Sequence, residues 1–409
     1  EAVCTGDGVD VYDALDLLQL LVDKSLLNTE TDATETPRYT MIESVWQYAR
    51  ERLEASGEFD MLRVRHLDYF LAYAEEAKPG LEGPETARWL DRITADQFNF
   101  RSALEWSARS PATVQKGLRI AGALTRYAEI RGNLEEMRDL TTELLAAPGA
   151  EEPTLARAYA LIGAGRVAWC RDSSEDALKY YREAIPLLEK FDRRRDVILQ
   201  GAFMSFIERN LGIYEHAEGR FQRSLDAGRE FNDVVLTAVG MSGLGAVAAD
   251  RGDLVTSRRL REESLAIYRS TGDQWVSGYI LWGIARSCTA EGDAAGAREA
   301  LEEWTSIARK LGNRWITPYL LLIFAEVLLI EGDAPLAARI LGATEAGCEA
   351  LGIVFDSAER AEWDALLARL NEKLDAPTRL REWNEGRKLG VWEAIDLATH
   401  ARPAAAVAA

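Results

Sequence analysis

RGDLVTSRRLREESLAIYRSTGD, residues 251–273, opens on Arg251-Gly252-Asp253, a tripeptide that on a secreted protein would point to cell adhesion. Whether it is a recognition motif or a structural one depends on whether its position recurs along the chain. It does. The matching turns are Arg131-Gly132-Asn133, Arg171-Asp172-Ser173, Leu211-Gly212-Ile213, Glu291-Gly292-Asp293 and Glu331-Gly332-Asp333. Their middle residues fall at 132, 172, 212, 252, 292 and 332, so every step is 40 residues. Glycine supplies the left-handed backbone that ends one helix, and the Asn or Asp after it can cap the next. The tripeptide is therefore read as a helix boundary.

Other columns keep step with the turn. Five residues after it stand Ala177, Ala217, Ser257, Ala297 and Ala337, all small. Seven before it stand Gly165, Ser205, Gly245, Ala285 and Ala325, again small. Eight before it are Ala164, Met204, Leu244, Ile284 and Phe324, and nine after it are Tyr181, Phe221, Arg261, Leu301 and Leu341, mostly large and apolar. Small residues at matched places let two helices approach closely, and large ones fill the groove beside them. Apolar residues between turns recur every three or four positions, which predicts stacked helix–turn–helix units.

This small–small–large pattern resembles the tetratricopeptide repeat, over roughly residues 111–352. The resemblance is strongest around 252, 292 and 332 and weaker at 172 and 212, where Asp172 and Ile213 depart from it. The family's usual period is about 34 residues. The extra length here is expected in longer second helices or longer links.

Composition narrows the function classes. The 409 residues are 47% hydrophobic with 11 Trp, ample for a continuous core. The formal net charge of −19 repels nucleic acid overall. Cys4, Cys170, Cys288 and Cys348 are far apart with no CxxC; three of them sit inside amphipathic helical patterns and read as small buried hydrophobes, and the set fits a reducing compartment. The longest apolar run, 319–330, is broken by Glu326 and is too short for a bilayer, so the chain is expected to be cytoplasmic. It starts at Glu1 without Met and is read as a fragment of something longer.

Ahead of the repeats, residues 13–23 predict a helix, 25–30 and 38–42 two strands, 31–37 a hairpin tip, and 43–55 a helix ending near Gly57. That order is the back half of a winged helix. The blocks LLQLLVDKSLL (17–27), RYTMIESVWQYARERL (38–53) and the stretch 65–107 resemble the C-terminal part of bacterial signal-transducing NTPases with numerous domains, the STAND regulators. The end of the chain, with AARILGATEAGCEALG and WNEGRKLGVWEAIDLA, resembles the cap of their helical arm. The resemblance implies an NTPase module next to the winged helix, a sensor arm and an effector, with transcriptional regulation as the first choice of output. One departure is decisive: these residues hold no GxxxxGK[ST] phosphate loop, so NTP hydrolysis is not carried over to them.

No catalytic signature appears. His66, His216 and His400 are isolated, and neither HExxH, GxSxG nor a Cys–His pattern is present. DNA reading needs basic and amide side chains on the recognition helix. The stretch 13–27 offers Asp13, Asp16 and Asp23 against Gln19 and Lys24, and is better suited to packing on another protein module.

The remaining candidate is the inner surface of the stack. Positions 13, 10, 6, 3 and 2 before each turn are expected to face it. They include Tyr159, Arg166, Trp169, Phe206, Arg209, Asn210, Tyr279, Trp282, Arg286, Tyr319 and Glu326. Aromatic residues and arginines are favoured at binding hot spots, and an arginine row could receive a carboxylate or acidic peptide. The alternative is that the aromatics pack between repeats and the arginines pair with nearby Glu.

The sequence thus predicts an all-α, right-handed superhelix of tetratricopeptide-like hairpins with an N-terminal partial winged helix. The expected domains are a partial winged helix (1–56), a helical connector (57–110), the repeats (111–352), a helical cap (353–400) and a tail (401–409). The expected function is non-catalytic reception of a protein, peptide or small signalling ligand, with an intramolecular NTPase partner and no cofactor, metal, membrane or DNA contact by this chain. A scaffold that grips a partner without switching is the runner-up, and DNA binding through the winged helix the third reading.

Overall fold

The structure, a computed structural model, describes residues 2–5, 10–31, 37–171, 173–355 and 357–401. Among them are twenty helices and a single two-stranded sheet. The chain divides into two compact units. The first holds residues 1–81, 87–127 and 135–164; the second holds 82–86, 128–134 and 165–409.

The first unit begins with α1 (Val11–Asp23), capped by the Asp10 carboxylate, which accepts from the Tyr12 N–H at 3.0 Å. Strands β1 (Asn28–Thr31) and β2 (Pro37–Thr40) pair antiparallel with Thr29 opposite Tyr39. Helix α2 (Glu43–Ser56) stops at Gly57, whose φ of 81° lets the chain turn. The helix–strand–strand–helix order is as expected, with the strands displaced by a few residues; the core of the expected hairpin tip, 32–36, lies outside the described residues. Arg38 on β2 forks onto Asp96 at 2.7 and 3.2 Å, tying the wing to the turn between α4 (Thr86–Ala95) and α5 (Gln97–Ser107). Helix α3 (Phe59–Gly80) completes this part through an aromatic cluster. Phe70 and Tyr73 meet Phe100 at 5.0 and 5.4 Å between ring centroids, and Tyr73 meets Trp89 at 6.2 Å. Helices α6 (Pro111–Arg131) and α7 (Leu134–Ala146) follow, then α8 (Leu155–Cys170).

In the second unit, α9 (Ser174–Lys190) leads into four consecutive hairpins: α10 (Arg194–Asn210) with α11 (Ala217–Phe231), α12 (Val234–Asp250) with α13 (Leu254–Thr271), α14 (Gln274–Glu291) with α15 (Ala294–Lys310), and α16 (Thr317–Glu331) with α17 (Ala334–Leu351). The turn column behaves as the sequence predicts. Gly212, Gly252, Gly292 and Gly332 all have positive φ, and Asp253, Asp293 and Asp333 accept from the backbone N–H three residues on. Asp172 of the same column lies outside the described residues.

The extra repeat length does not sit where it was expected. A second column of left-handed residues falls midway between the first, at Asp192, Asn232, Gly272, Gly312 and Gly352. The 40-residue period is therefore two half-repeats of 20, and the additional residues are shared between both helices instead of going to longer second helices or links. The first helices also pack on one another, α10 on α12, α12 on α14 and α14 on α16, which puts them on the tighter, inner side of this unit.

Helices α18 (Ser357–Lys373), α19 (Ala376–Gly386) and α20 (Val391–His400) finish the chain, with α19 on α17 and α20 on α16. Enclosed in this way, α16 is apolar on nearly every face apart from Glu326, and its leucine run is a buried core helix. No helix among the described residues is long and apolar enough to cross a membrane.

One contact joins distant parts of the second unit. Asn313, fully buried in the loop after α15, donates to the carbonyls of Ile130 at 2.6 Å and Glu129 at 3.4 Å, and accepts from the Ile316 N–H at 2.9 Å. Asn313→Ala is expected to cost about 1–3 kcal/mol, because it strands these buried groups. Asn313→Asp should do no better, since a carboxylate cannot donate to the two carbonyls. Urea denaturation of both variants checks this.

Candidate functional site

Ten of the eleven candidate groove residues lie in the second unit; Tyr159 lies in the first, where Lys78 Nζ stands 4.7 Å from its ring centroid. Arg209 and Arg286 sit on the inner helices α10 and α14 and Arg166 on α8, and each is met by an acid of this same chain. Arg166 on α8 forks onto Glu129 at 2.6 and 2.8 Å and lies over the Phe203 ring at 5.2 Å. Arg209 on α10 forks onto Asp250 of α12, both bonds at 2.7 Å. Arg286 on α14 stacks on Trp282 at 4.9 Å and pairs with Glu362 of α18. Glu326 on α16 accepts from Arg369 of α18 at 2.8 Å.

The aromatics fall into two groups. Phe206 packs on Phe221 at 4.7 Å, and Trp169 borders the core around Ala168 and Tyr181. Tyr279 lies against Trp275 and Trp304 at 4.9 and 6.1 Å. Tyr319 is buried and begins a chain of rings through Phe355 and Trp363 to Trp383, with centroid steps of 5.9, 5.6 and 5.9 Å. Asn210 is exposed at the end of α10. Helix α18 and the loop before it thus engage Arg286, Tyr319 and Glu326.

Sequence reasoning had not singled out the partner acids Glu129, Asp250 and Glu362, nor Arg261. Arg261 on α13 stands in the column that holds Tyr181, Phe221, Leu301 and Leu341 in the other repeats. Its Nη1 donates to Ser287 Oγ at 2.9 Å and to the Gly283 carbonyl at 2.5 Å, and it pairs with no carboxylate among the described residues. Burial, then the neighbouring guanidinium groups of Arg209 and Arg286, pull its pKa down to about 10.

Arg166 is the opposite case. Burial works against its charge, but Glu129 outweighs that and holds its pKa above the ordinary arginine value. The Tyr181 hydroxyl beside it is buried without a hydrogen-bond partner, and its pKa is raised, chiefly by burial.

Elsewhere the chemistry is sparse. Among the described residues no group of three His, Cys, Asp or Glu is placed to hold a metal. No disulfide forms among the described cysteines; Cys288 is buried as expected, Cys170 and Cys348 are half-buried, and Cys4 is exposed. Burial pushes the Cys348 thiol up to about 12, which leaves it unreactive near neutral pH. His216 is exposed at the start of α11, and His400 meets the Asp396 carbonyl at 2.7 Å. His66 packs on Phe70 at 4.6 Å, and burial holds its pKa below the ordinary histidine value.

Residues 1–54 match the winged helix-turn-helix domain family. Proteins of Mycobacterium tuberculosis and Mycobacterium bovis that carry the name HTH-type transcriptional regulator are 35% identical over 135 residues, 33% of this chain. The chain spans only 15% of the length of these curated relatives. Among solved structures, Rap protein complexed with competence and sporulation factor aligns with a TM-score of 0.59 at 15% identity, covering 87% of this chain and 93% of that one. NprR in complex with its cognate peptide NprX aligns at 0.51 and 14%, covering 95% and 99%. These likenesses show the fold, an all-α tetratricopeptide-like superhelix.

Two outcomes follow from the local electrostatics. Arg166→Ala is expected to cost roughly 3–5 kcal/mol by removing the guanidinium group that forks onto the buried Glu129 carboxylate, while Arg166→Met with Glu129→Leu recovers most of it. Chemical denaturation of the single and double variants measures the difference. Charge reversal at Arg166 would therefore damage the fold, and cannot serve as a neutral probe of binding. For His66, a base held below its unfolded pKa of about 6.5 stabilises the fold above that pH and loses the contribution as pH falls through it. The drop in melting temperature between pH 7 and pH 5 should be shallower in His66→Gln.

Proposed function

We propose that this chain is the non-catalytic sensor or protein-interaction arm of a STAND-type signalling regulator. Its inner helices hold a ligand or partner, and binding controls an NTPase and effector module lying outside residues 1–409, with transcription as the output. In this reading residues 1–56 are a winged-helix remnant, 57–110 a connector, 111–352 the receiving repeats and 353–400 a cap.

The observation that carries the reading is the strip of rings and guanidinium groups on the inner helices, in a chain that also matches a winged helix. Phe206, Arg209, Trp282, Arg286 and Tyr319 stand on helices that pack side by side. Two proteins of the same fold are bound to competence and sporulation factor and to a cognate peptide, which supports a peptide or protein as the ligand class.

The winged-helix remnant supports an intramolecular protein partner over DNA. On α1, Tyr12, Leu15 and Leu20 are 87%, 59% and 52% exposed, beside Asp13, Asp16 and Asp23. Apolar side chains among carboxylates suit a protein surface and repel phosphates. Helix α18 offers a route for the signal. A ligand that takes Arg286 or Glu326 competes with Glu362 or Arg369, so it binds two arrangements of α18 unequally, as any switching ligand must.

The test uses a longer protein that includes the residues encoded upstream of Glu1. Those residues should contain a phosphate loop, and saturating ligand should change nucleotide affinity by roughly 5- to 150-fold, with the reciprocal effect on ligand affinity. Absence of a phosphate loop upstream would overturn the switch reading. Ligand binding with unchanged nucleotide affinity would make the arm a plain tetratricopeptide-like scaffold.

A further inference from the structure

Arg261 breaks the rule of its column in a way the backbone accommodates. At the matched places other repeats put a ring or a leucine, each buried between helices. Here the side chain runs from α13 toward the first helices through a slot lined by two glycines. A Cβ on Gly245 of α12 would lie 3.2 Å from the Arg261 Cγ, and a Cβ on Gly283 of α14 would lie 3.0 Å from both its Cζ and Nε. The stem therefore passes Gly245 and the guanidinium group rests on the Gly283 backbone.

The slot leads to two further arginines. Ser287 and Gly283, which hold the Arg261 Nη1, flank Arg286 on the same turns of α14. Next to Gly245, the Ala246 carbonyl accepts from Arg209 Nη2 at 3.5 Å. Three guanidinium groups thus gather around α12 and α14 against two paired carboxylates, Asp250 and Glu362. In a chain of net charge −19 this is a local excess of positive charge with unused donors on Arg261.

We propose that Arg261, with Arg209 and Arg286, receives one oxyanion group, a carboxylate or a phosphate, carried by the ligand of the inner helices. The proposal rests on the sensor-arm reading and gives it a ligand chemistry. Arginine's planar fork suits such a group, and the partly desolvated slot strengthens the attraction. Without the anion the charge is a burden. Its depressed pKa means that folding disfavours the charged form at every pH below about 10, so the empty site lowers stability at pH 7.

The experiment uses the 409-residue chain, with inorganic phosphate and succinate as probes and chloride at matched ionic strength as the control. Wild type should show a saturable rise in melting temperature with at least one probe, accompanied by a change in tryptophan fluorescence from Trp282 under Arg286. Arg261→Leu, the residue found at 301 and 341, should melt higher than wild type without anion and bind the probe about tenfold more weakly or worse. Arg261→Lys, which keeps the charge but loses the fork, should fall between them. A response to phosphate alone assigns a phosphorylated ligand, and a response to succinate alone a carboxylate. No saturable response beyond chloride, or an Arg261→Leu variant that binds as wild type does, overturns the proposal. Either result leaves the arm free to receive a neutral ligand, and the absence of an upstream phosphate loop would leave anion binding by this chain measurable, so the two readings fail separately.

Discussion

The hairpins depend on how near two helix backbones can come to each other. Ala177, Ala217, Ser257, Ala297 and Ala337 have no exposed surface. At Gly165 an added Cβ would lie 3.3 Å from the Ala177 carbonyl oxygen, and at Gly245 one would lie 3.1 Å from that of Ser257. With the backbones this close, the large residues four positions further on are forced into the groove beside the crossing, and Tyr181, Phe221, Leu301 and Leu341 are each buried there. The crossing fixes which side of every first helix is left to face inward. The composition of the inner surface is therefore free to vary while the stack is held by its seams.

That surface is more self-contained than a row of arginines on paper implies. Glu129, Asp250 and Glu362 each come from a different helix than the arginine they neutralise, so the ion pairs act as cross-ties between elements. The buried pair of Arg166 with Glu129 contributes little net stability, but removing one member is costly. Helix α18 is held to α14 and α16 by two such ties, both partly exposed, where water competes with them.

Much of the fold was legible because its periodic constraints are local. A left-handed residue at a helix end favours glycine, so the column at 212, 252, 292 and 332 announced itself. The companion column at 192, 232, 272, 312 and 352 was overlooked because its first two members are Asp and Asn, which tolerate the same backbone with φ of 53°. Pairings such as Arg286 with Glu362, 76 residues apart, leave no spacing signal, because nothing in either helix specifies the other. Arg261 was visible as the odd member of an apolar column. Its meaning required the two glycines that make room for it, and these belong to different helices.

Arrays of hairpins ordinarily melt from their termini, because each unit leans only on the next. The Asn313 amide alters that arithmetic. By gripping a carbonyl 183 residues earlier it makes a late loop and an early helix end into neighbours, and the hairpins of the second unit between them are spanned by this clasp. Slack introduced at any of these hairpins must be shared by all the others, or the clasp must open. A molecule wedged among the inner helices would thus push against a stapled coil, in which a small local displacement becomes a collective one.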